Sequence, residues 1–480
     1  MTPHQNSSPT QFGGHTRGFI VAGTNSGCGK TTVSLALMAW LTRQGYRVSP
    51  FKVGPDFIDP GHHTRITGTQ SRNLDGWILG PNYNRQTFRT HARNSDIAVI
   101  EGVMGLFDGF SGTDEAGSTA EMAKCLGLPI ILVVNAQSMA RSAAALVQGF
   151  ENFDPGLTFA GVIFNNIGSE THLLYLEQAL KGNVIMPCLG GILRDDDIEI
   201  PERHLGLVTR DEHKLPESVV DHLSDIIHTR IDTKRLFQGL TRVDTAPLDQ
   251  HEKPPKVLTP KTVIGVARDE AFCFYYQDNL DLLEKQGCTL IYFSPISDKR
   301  LPQGLQGLYL GGGYPEVFAR QLSENHAMLA DINEQSMNGM PVYGECGGFM
   351  YLCSSITDQQ NRRYPMTGCF PIDTTMLAGR ATLGYREITL TETTILGPRS
   401  MVIRGHEFHY SRVDSRVLHP DVKQVYSVSP GTGIKDFTEG YQTRNTVGSY
   451  IHLHFGSNPD LCRHFARSAD HFPLLAHKSL

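Results

Sequence analysis

Two stretches of this 480-residue chain carry residue types that do chemistry only in particular spacings. The first is Gly23-Thr24-Asn25-Ser26-Gly27-Cys28-Gly29-Lys30-Thr31-Thr32. A glycine-rich loop of this kind cradles phosphates. Its backbone N–H groups meet phosphate oxygens, its Lys neutralises charge, its Ser/Thr hydroxyl binds magnesium, and the helix that follows aims its N-terminus at the anion. Gly27, Gly29, Lys30, Thr31 and Thr32 are the candidate nucleotide-binding residues, with Thr31 also a metal ligand. The second stretch is Tyr343-Gly344-Glu345-Cys346-Gly347-Gly348, a glycine-flanked cysteine after an apolar run. It has the form of a nucleophile elbow. A chain with both needs a nucleoside triphosphate and a thiol. Glutamine-dependent amide synthesis fits, with the thiol releasing ammonia and ATP activating a carboxylate to receive it.

Further residues belong to each chemistry. Asp56 and Asp59 follow one strand-like run, Glu101 and Asp108 another. Magnesium favours one or two carboxylates beside phosphate oxygens and water, which makes Asp56 and Glu101 candidate ligands. Asp59 and Asp108 are candidates on the substrate side, and each of these acids could instead cap a helix or turn. Lys52 could assist the phosphates. For the thiol, Gly347 and the glycines of Leu310-Gly311-Gly312-Gly313-Tyr314-Pro315-Glu316, notably Gly312 and Gly313, could donate N–H groups to an oxyanion. A thiol also needs a base. In Ser449-Tyr450-Ile451-His452-Leu453-His454, strand alternation puts His452 and His454 on one face, so one could act as base and the other be structural. The remaining eight cysteines read as buried, inert thiols, with Cys28 packing the phosphate loop.

The elements that must position these residues follow from the pattern. Phe19–Gly23, Val48–Val53, Asp96–Ile100, Ile130–Asn135 and Phe159–Phe164 read as strands, and Thr32–Gln44 as a helix ended by Gly45. Strands alternating with helices imply a parallel sheet covered on both faces, with ligands at the strand C-termini. The rhythm fades after Thr233 into a polar, proline-rich stretch and restarts at Thr262. It continues through Thr289–Phe293, Gly307–Leu310 and Pro341–Tyr343. The expected organisation is an α/β chain with a P-loop domain over 18–235, a linker over 236–260 and a second α/β domain over 261–465. The last fifteen residues or so are expected to form a loosely packed tail.

Composition narrows the function class. The net charge of -6 and the absence of a basic cluster give no electrostatic reason for a nucleic-acid partner. The longest apolar runs are strand length, so no membrane span is expected, and the polar first 17 residues do not read as a signal peptide. Nine scattered cysteines without a CxxC pair suit a reduced, cytoplasmic protein. The sequence leaves a homodimer open.

Taken together these segments resemble the cobyrinic acid a,c-diamide synthase family of corrin biosynthesis. The resemblance rests on the phosphate loop, Lys52–Pro60, Asn73–Trp77, Glu101–Gly109, Leu310–Glu316, Tyr343–Tyr351, Gly405–Ser411 and Ser449–His454. Gly23 and Gly29 are separated by five residues rather than four, which resembles the dethiobiotin synthetase and partition-ATPase branch of P-loop proteins. The resemblance implies a dethiobiotin synthetase-like domain joined to a class I glutamine amidotransferase-like domain. It implies ATP, Mg2+, glutamine and a tetrapyrrole polycarboxylate as cofactors and substrates, with an acyl phosphate formed on the a and c side chains in turn. By match, Cys346 is the glutaminase nucleophile and His452 its base. Ordinary class I glutaminases carry His-x-Glu, whereas here His454 stands where the Glu would be. Three other readings compete: a nickel-sirohydrochlorin a,c-diamide synthase, a cobyric acid synthase, and a partition-type ATPase whose second domain is inactive.

Overall fold

The computed structural model describes residues 15–194, 215–245, 262–379, 382–414, 418–429 and 436–473. The described residues up to 245 form one compact unit and those from 262 onward another.

In the first unit the order is β1 (His15–Gly23), α1 (Lys30–Arg43), β2 (Val48–Val53), α2 (Ile58–Thr67), β3 (Arg72–Leu74), α3 (Gly76–Ala92), β4 (Ile97–Glu101) and α4 (Thr119–Leu126). It continues with β5 (Ile130–Asn135), α5 (Ser142–Phe153), β6 (Phe159–Ile167), α6 (Glu170–Leu180), β7 (Cys188–Leu193), α7 (Glu217–Arg230), α8 (Thr233–Gly239) and β8 (Thr241–Asp244). Seven strands run parallel in the order β3-β2-β4-β1-β5-β6-β7, and β8 lies antiparallel beside the start of β1. Apolar runs such as Ile130–Val134 are buried throughout because helices cover both faces. Against that background Lys52 and Glu101, charged residues near the C-terminal ends of buried strands, mark the functional end of the sheet.

The second unit begins in the same style, with β9 (Thr262–Ala267), α9 (Gln277–Lys285), β10 (Cys288–Phe293), β11 (Gly307–Leu310), α10 (Ala319–Glu324), α11 (His326–Met337), β12 (Val342–Glu345) and α12 (Gly347–Leu352). Then the pattern changes to β13 (Cys353–Thr357), β14 (Arg363–Pro365), β15 (Phe370–Met376), β16 (Thr382–Leu390), β17 (Val402–His409), β18 (Ser411–Val413), β19 (Lys423–Ser429), β20 (Phe437–Thr443), β21 (Thr446–Ser449), β22 (Ile451–Leu453) and α13 (Asp460–Asp470). A ten-stranded sheet runs β10-β9-β11-β12-β21-β20-β19-β16-β17-β22. Its first five strands are parallel and the rest are joined antiparallel. A four-stranded sheet, β14-β13-β15-β18, packs beside it.

Two expectations need correction. Residues 236–244 belong to the first unit rather than to a linker: Leu236 is fully buried in α8, and β8 pairs with β1. Residues 246–261 lie outside the described residues. The chain end is also better packed than its polarity suggests. Within the last fifteen residues, Ala466 and Ala469 on α13 are buried on the face that Leu461, Cys462 and Phe465 begin, and Phe472 follows them into the core. Residues 474–480 lie outside the described residues.

Candidate functional site

The phosphate loop leaves β1 and re-enters α1 through two left-handed glycines, Gly27 (φ 78°) and Gly29 (φ 96°). A side chain at Gly29 would strike the amide of Asn165, which donates to the Cys28 carbonyl at 3.1 Å. A side chain at Gly23 would strike the Cys28 thiol and the Lys30 stem. Glycine is required at both ends because the loop folds tightly over the sheet. Lys30 and the half-buried Thr31 and Thr32 form the first turn of α1. Lys30 Nζ donates to the Asn25 carbonyl at 3.2 Å. Burial lowers its pKa, with the nearby Cys28 pulling the other way.

Strand register gathers the charges. Lys52 on β2 pairs across to Glu101 on β4, which in turn lies beside Val21 on β1. Glu101 is fully buried. Its Oε1 accepts from Thr31 Oγ1 at 2.7 Å and Lys52 Nζ at 2.7 Å, and its Oε2 meets His63 Nε2 at 2.8 Å. Lys52 also contacts Asp59 at 2.5 Å. Burial alone would raise the Glu101 carboxyl, but Lys52 and His63 outweigh it and hold it below the usual range. Burial would likewise lower Lys52, and Asp59, Glu101 and Asp56 together raise it instead. A buried charge survives only when paired this way. His63 had no motif to announce it.

Asp56 is buried and caps α2, its Oδ1 accepting from the Ile58 and Asp59 N–H groups at 2.8 and 3.2 Å. Asp108 is exposed and closes the turn after β4, accepting from Gly105 N at 2.9 Å, without a contact to the Lys52–Glu101 cluster among the described hydrogen bonds. The oxygen donors of Thr31, Asp56, Asp59 and Glu101 suit a hard cation such as magnesium. Thr31 gives its proton to Glu101, which leaves its lone pairs for a cation. Glu101, already held by three donors, fits a role through Thr31 or a bound water better than direct ligation.

In the second unit Cys346 sits between β12 and α12 with φ 48° and ψ -101°. Positive φ is costly for a residue with a side chain. The turn is held by Cys346 N donating to the Ser449 carbonyl at 2.7 Å and Met350 N donating to the Cys346 carbonyl at 2.9 Å. The surrounding glycines admit close backbone: a Cβ on Gly347 would lie 2.8 Å from Pro315 Cδ and 3.0 Å from Gly313 N, and one on Gly348 would strike the Leu310 carbonyl. The Gly311–Gly313 loop also reaches His452, since a side chain on Gly312 would strike that ring. One loop therefore touches both the elbow and the imidazole. Burial first, then Glu316, pushes the Cys346 thiol up. Burial and then His409 push His452 down to about 3. The thiol donates to the Phe408 carbonyl at 3.8 Å, and these shifts favour the neutral form of both thiol and imidazole.

Gly312 corrects an expectation. Its N–H donates to the Phe274 carbonyl at 3.2 Å, so it is not an oxyanion donor; its missing side chain makes room for His452. Gly313 and Gly347 keep the adjacent N–H groups. His454 is fully buried, its Nδ1 accepting from Gly456 N at 3.1 Å and its ring 4.5 Å from Tyr276. Burial lowers it to about 4. The Gly405–Ser411 segment, to which the sequence assigned no role, lies inside this unit. His406 pairs in register with His452 and stacks on it at 5.0 Å. Glu407 is clasped by Arg386 at 2.7 Å and His409 at 2.8 Å. Of the cysteines expected to be buried, Cys273 is exposed, and Cys125 and Cys188 are half-buried.

Sequence comparisons match this two-site arrangement. Residues 19–208 match the CobQ/CobB/MinD/ParA nucleotide binding domain, and residues 263–460 the CobB/CobQ-like glutamine amidotransferase domain. The chain is 40% identical over 462 residues to a cobyrinate a,c-diamide synthase of Dehalococcoides mccartyi, covering 94% of this chain and 98% of the relative. The chain belongs to the cobyrinate a,c-diamide synthase family. A Salmonella typhimurium relative of the same name is 40% identical over 94% of this chain and 98% of its own length. One from Methanosarcina barkeri is 41% identical, covering 91% and 92%. The family is thus shared along both units, from phosphate loop to thiol. Among the described residues no helix is long and apolar enough to cross a membrane.

Proposed function

We propose that the chain is a glutamine-hydrolysing, ATP-dependent ligase that amidates the a and c side-chain carboxylates of cobyrinic acid in cobalamin biosynthesis, working in the cytoplasm. The observation that carries this is the full-length likeness to synthases of that name, combined with both sites being built. The relatives' shared name favours cobyrinate over nickel sirohydrochlorin. The partition-ATPase reading leaves the strained Cys346 turn without a use.

In the first unit Lys30 and the loop N–H groups stabilise charge on the transferring γ-phosphoryl group, and Lys52 fixes the Glu101 carboxylate that holds Thr31. Magnesium, when bound, neutralises phosphate charge, and Thr31, Asp56 and Glu101 are the residues that would hold it or its water. The substrate carboxylate attacks the γ-phosphorus to give an acyl phosphate and ADP; ammonia then attacks the acyl carbon and phosphate leaves. Asp59 belongs beside the substrate.

In the second unit the Cys346 thiol gives its proton to His452 and attacks the carboxamide carbon of glutamine. Gly313 and Gly347 N–H groups face the oxyanion. The C–N bond breaks, ammonia leaves with the proton from His452, and water hydrolyses the thioester to glutamate.

The test is incubation with ATP, magnesium and a panel of tetrapyrrole acids, with glutamine or ammonia as nitrogen source, read by mass spectrometry. Two carboxyl-to-amide exchanges on cobyrinic acid are expected. Cys346→Ala abolishes amidation with glutamine and leaves it with ammonia. Equal loss with both sources overturns the assignment of the thiol.

A further inference from the structure

Ordinary class I glutaminases orient their histidine with a Glu two residues beyond it, and here that position is His454, which is occupied in bonding the Gly456 N–H. A carboxylate nevertheless stands at the base, and it comes from another strand. Glu345, the residue before the nucleophile, is 1% exposed, and its Oε2 lies 3.9 Å from His452 Nδ1. Its Oε1 accepts from Tyr343 Oη at 2.7 Å and from Leu453 N at 3.1 Å, and its Oε2 accepts from Tyr309 Oη at 3.0 Å. Leu453 follows His452, so one carboxylate grips the backbone of β22 and faces its imidazole.

We propose that Glu345 is the positioning carboxylate of the glutaminase site, replacing in space the Glu that the histidine motif lacks. This rests on the proposed roles of Cys346 and His452. The ring plane is set by His406 stacked at 5.0 Å and by the space at Gly312. Glu345 facing Nδ1 fixes the remaining rotation and leaves Nε2 as the nitrogen for the thiol proton. When that proton moves from Cys346 to His452, the imidazolium forms in a site that otherwise disfavours it strongly, and the adjacent carboxylate compensates the new charge. A fully buried acid is expensive. Its two oxygens accept separately from Tyr343 and Tyr309, which holds the carboxylate in place, and the oxygen bonded to Tyr309 is the one that faces His452.

Burial raises the Glu345 carboxyl to about 7 against its three donors, so its charge changes near neutrality. The other groups facing this pair are Tyr275, Tyr309, Tyr343, Tyr426 and Cys346 on the Glu345 side, and His406, Glu407 and His409 on the His452 side. Glu407 also favours the imidazolium but is itself paired with Arg386 and His409, whereas among the described ion pairs it is Glu345 that stands 3.9 Å from His452 Nδ1.

The experiment is Glu345→Gln in the full chain, with glutamine hydrolysis followed across pH. The expected result is a kcat lower by about 10- to 100-fold, the loss typical of an orienting partner, with the KM for glutamine within about twofold. The acid limb of kcat/KM should move to lower pH, because the carboxyl whose protonation near neutrality removes the counter-charge is gone. Wild-type kcat, or a lower kcat with an unmoved acid limb, overturns the proposal. If Glu345→Gln fails to fold, Tyr309→Phe serves, since it removes one donor from the carboxylate and keeps the acid. Its kcat should fall several-fold near pH 6.5 and recover toward pH 8 as Glu345 ionises; a loss equal at both values overturns the proposal. Glutamine hydrolysis needs no tetrapyrrole, so a wrong substrate assignment leaves this test intact. A Cys346→Ala variant that still hydrolyses glutamine shows instead that the thiol reading has failed.

Discussion

The two sites handle buried charge in opposite ways. In the first unit the buried ions of the Lys52–Glu101 cluster beside the phosphate loop answer one another. Glu101 is fully buried yet stays below the usual carboxylate range, because Lys52 and His63 contact it directly. In the second unit pairing stops one step short of the reacting groups. Glu407 is held low by His409 and Arg386 against the effect of burial, while Glu316, Glu345 and Glu439 are each raised by burial to about 7. The thiol is pushed up and the imidazole down. The difference matches the ligands. A site for a polyanion needs fixed charges that do not titrate. A site that passes one proton from thiol to imidazole to ammonia works with neutral groups whose ionised forms lie within reach.

If that contrast is right, the largest effects come from removing the proton carrier. His452→Ala should lower glutamine hydrolysis by roughly 10²- to 10⁴-fold, the range for a general base, and slow alkylation of Cys346 at neutral pH. His454→Ala should be milder, since that ring bonds backbone and packs on Tyr276. Ammonia-dependent amidation should survive both changes. A reversed order, with His454→Ala the more damaging, would mean that β22 presents the other histidine to the thiol. Next come the fixed charges. Lys30→Ala and Glu101→Gln should each reduce amidation by about 10²- to 10³-fold, the scale for loss of a preorganised electrostatic contact. Here the nitrogen source should not matter, because carboxylate activation precedes its use. Near-normal turnover with ammonia in the Lys30→Ala protein would detach the loop from the reacting phosphates.

What could be read from the sequence follows the same division. The first unit was legible because its logic is local: a glycine-rich turn after an apolar strand, and charged residues at strand ends. Strands over Val48–Val53, Ile130–Asn135, Thr262–Ala267 and Gly307–Leu310 have the expected bounds, since short apolar runs bounded by turn residues leave little choice of register. The three-residue β3 and the antiparallel strands after Cys353 were not legible. Their residues alternate weakly, and their pairing depends on partners far along the chain. Glu345, His63 and the Glu407 cluster were missed for a related reason. Glu345 meets His452, His63 meets Glu101 and Glu407 meets Arg386 across long stretches of sequence, and spacing carries no trace of that. The available signal was an acid inside a run that burial demands be apolar, at Glu345 as at Glu101.

The smallest effect tests the contrast most directly. Glu316 lies in the loop that touches the elbow and is half-buried; after burial itself, it does most to raise the Cys346 thiol. Its own carboxyl is raised by burial to about 7. Below that value it carries a proton and is electrically silent, and above it an anion opposes thiolate formation. Glu316→Gln removes the anion, so the thiol pKa should fall. A nearby like charge shifts a pKa by about one unit or more, so iodoacetamide should modify Cys346 up to roughly tenfold faster at pH 8. At pH 6, where wild-type Glu316 is already protonated, the two proteins should react alike. No acceleration at pH 8 would mean that burial alone keeps the thiol neutral. An equal acceleration at both pH values would mean that the substitution loosened the turn rather than removing a charge.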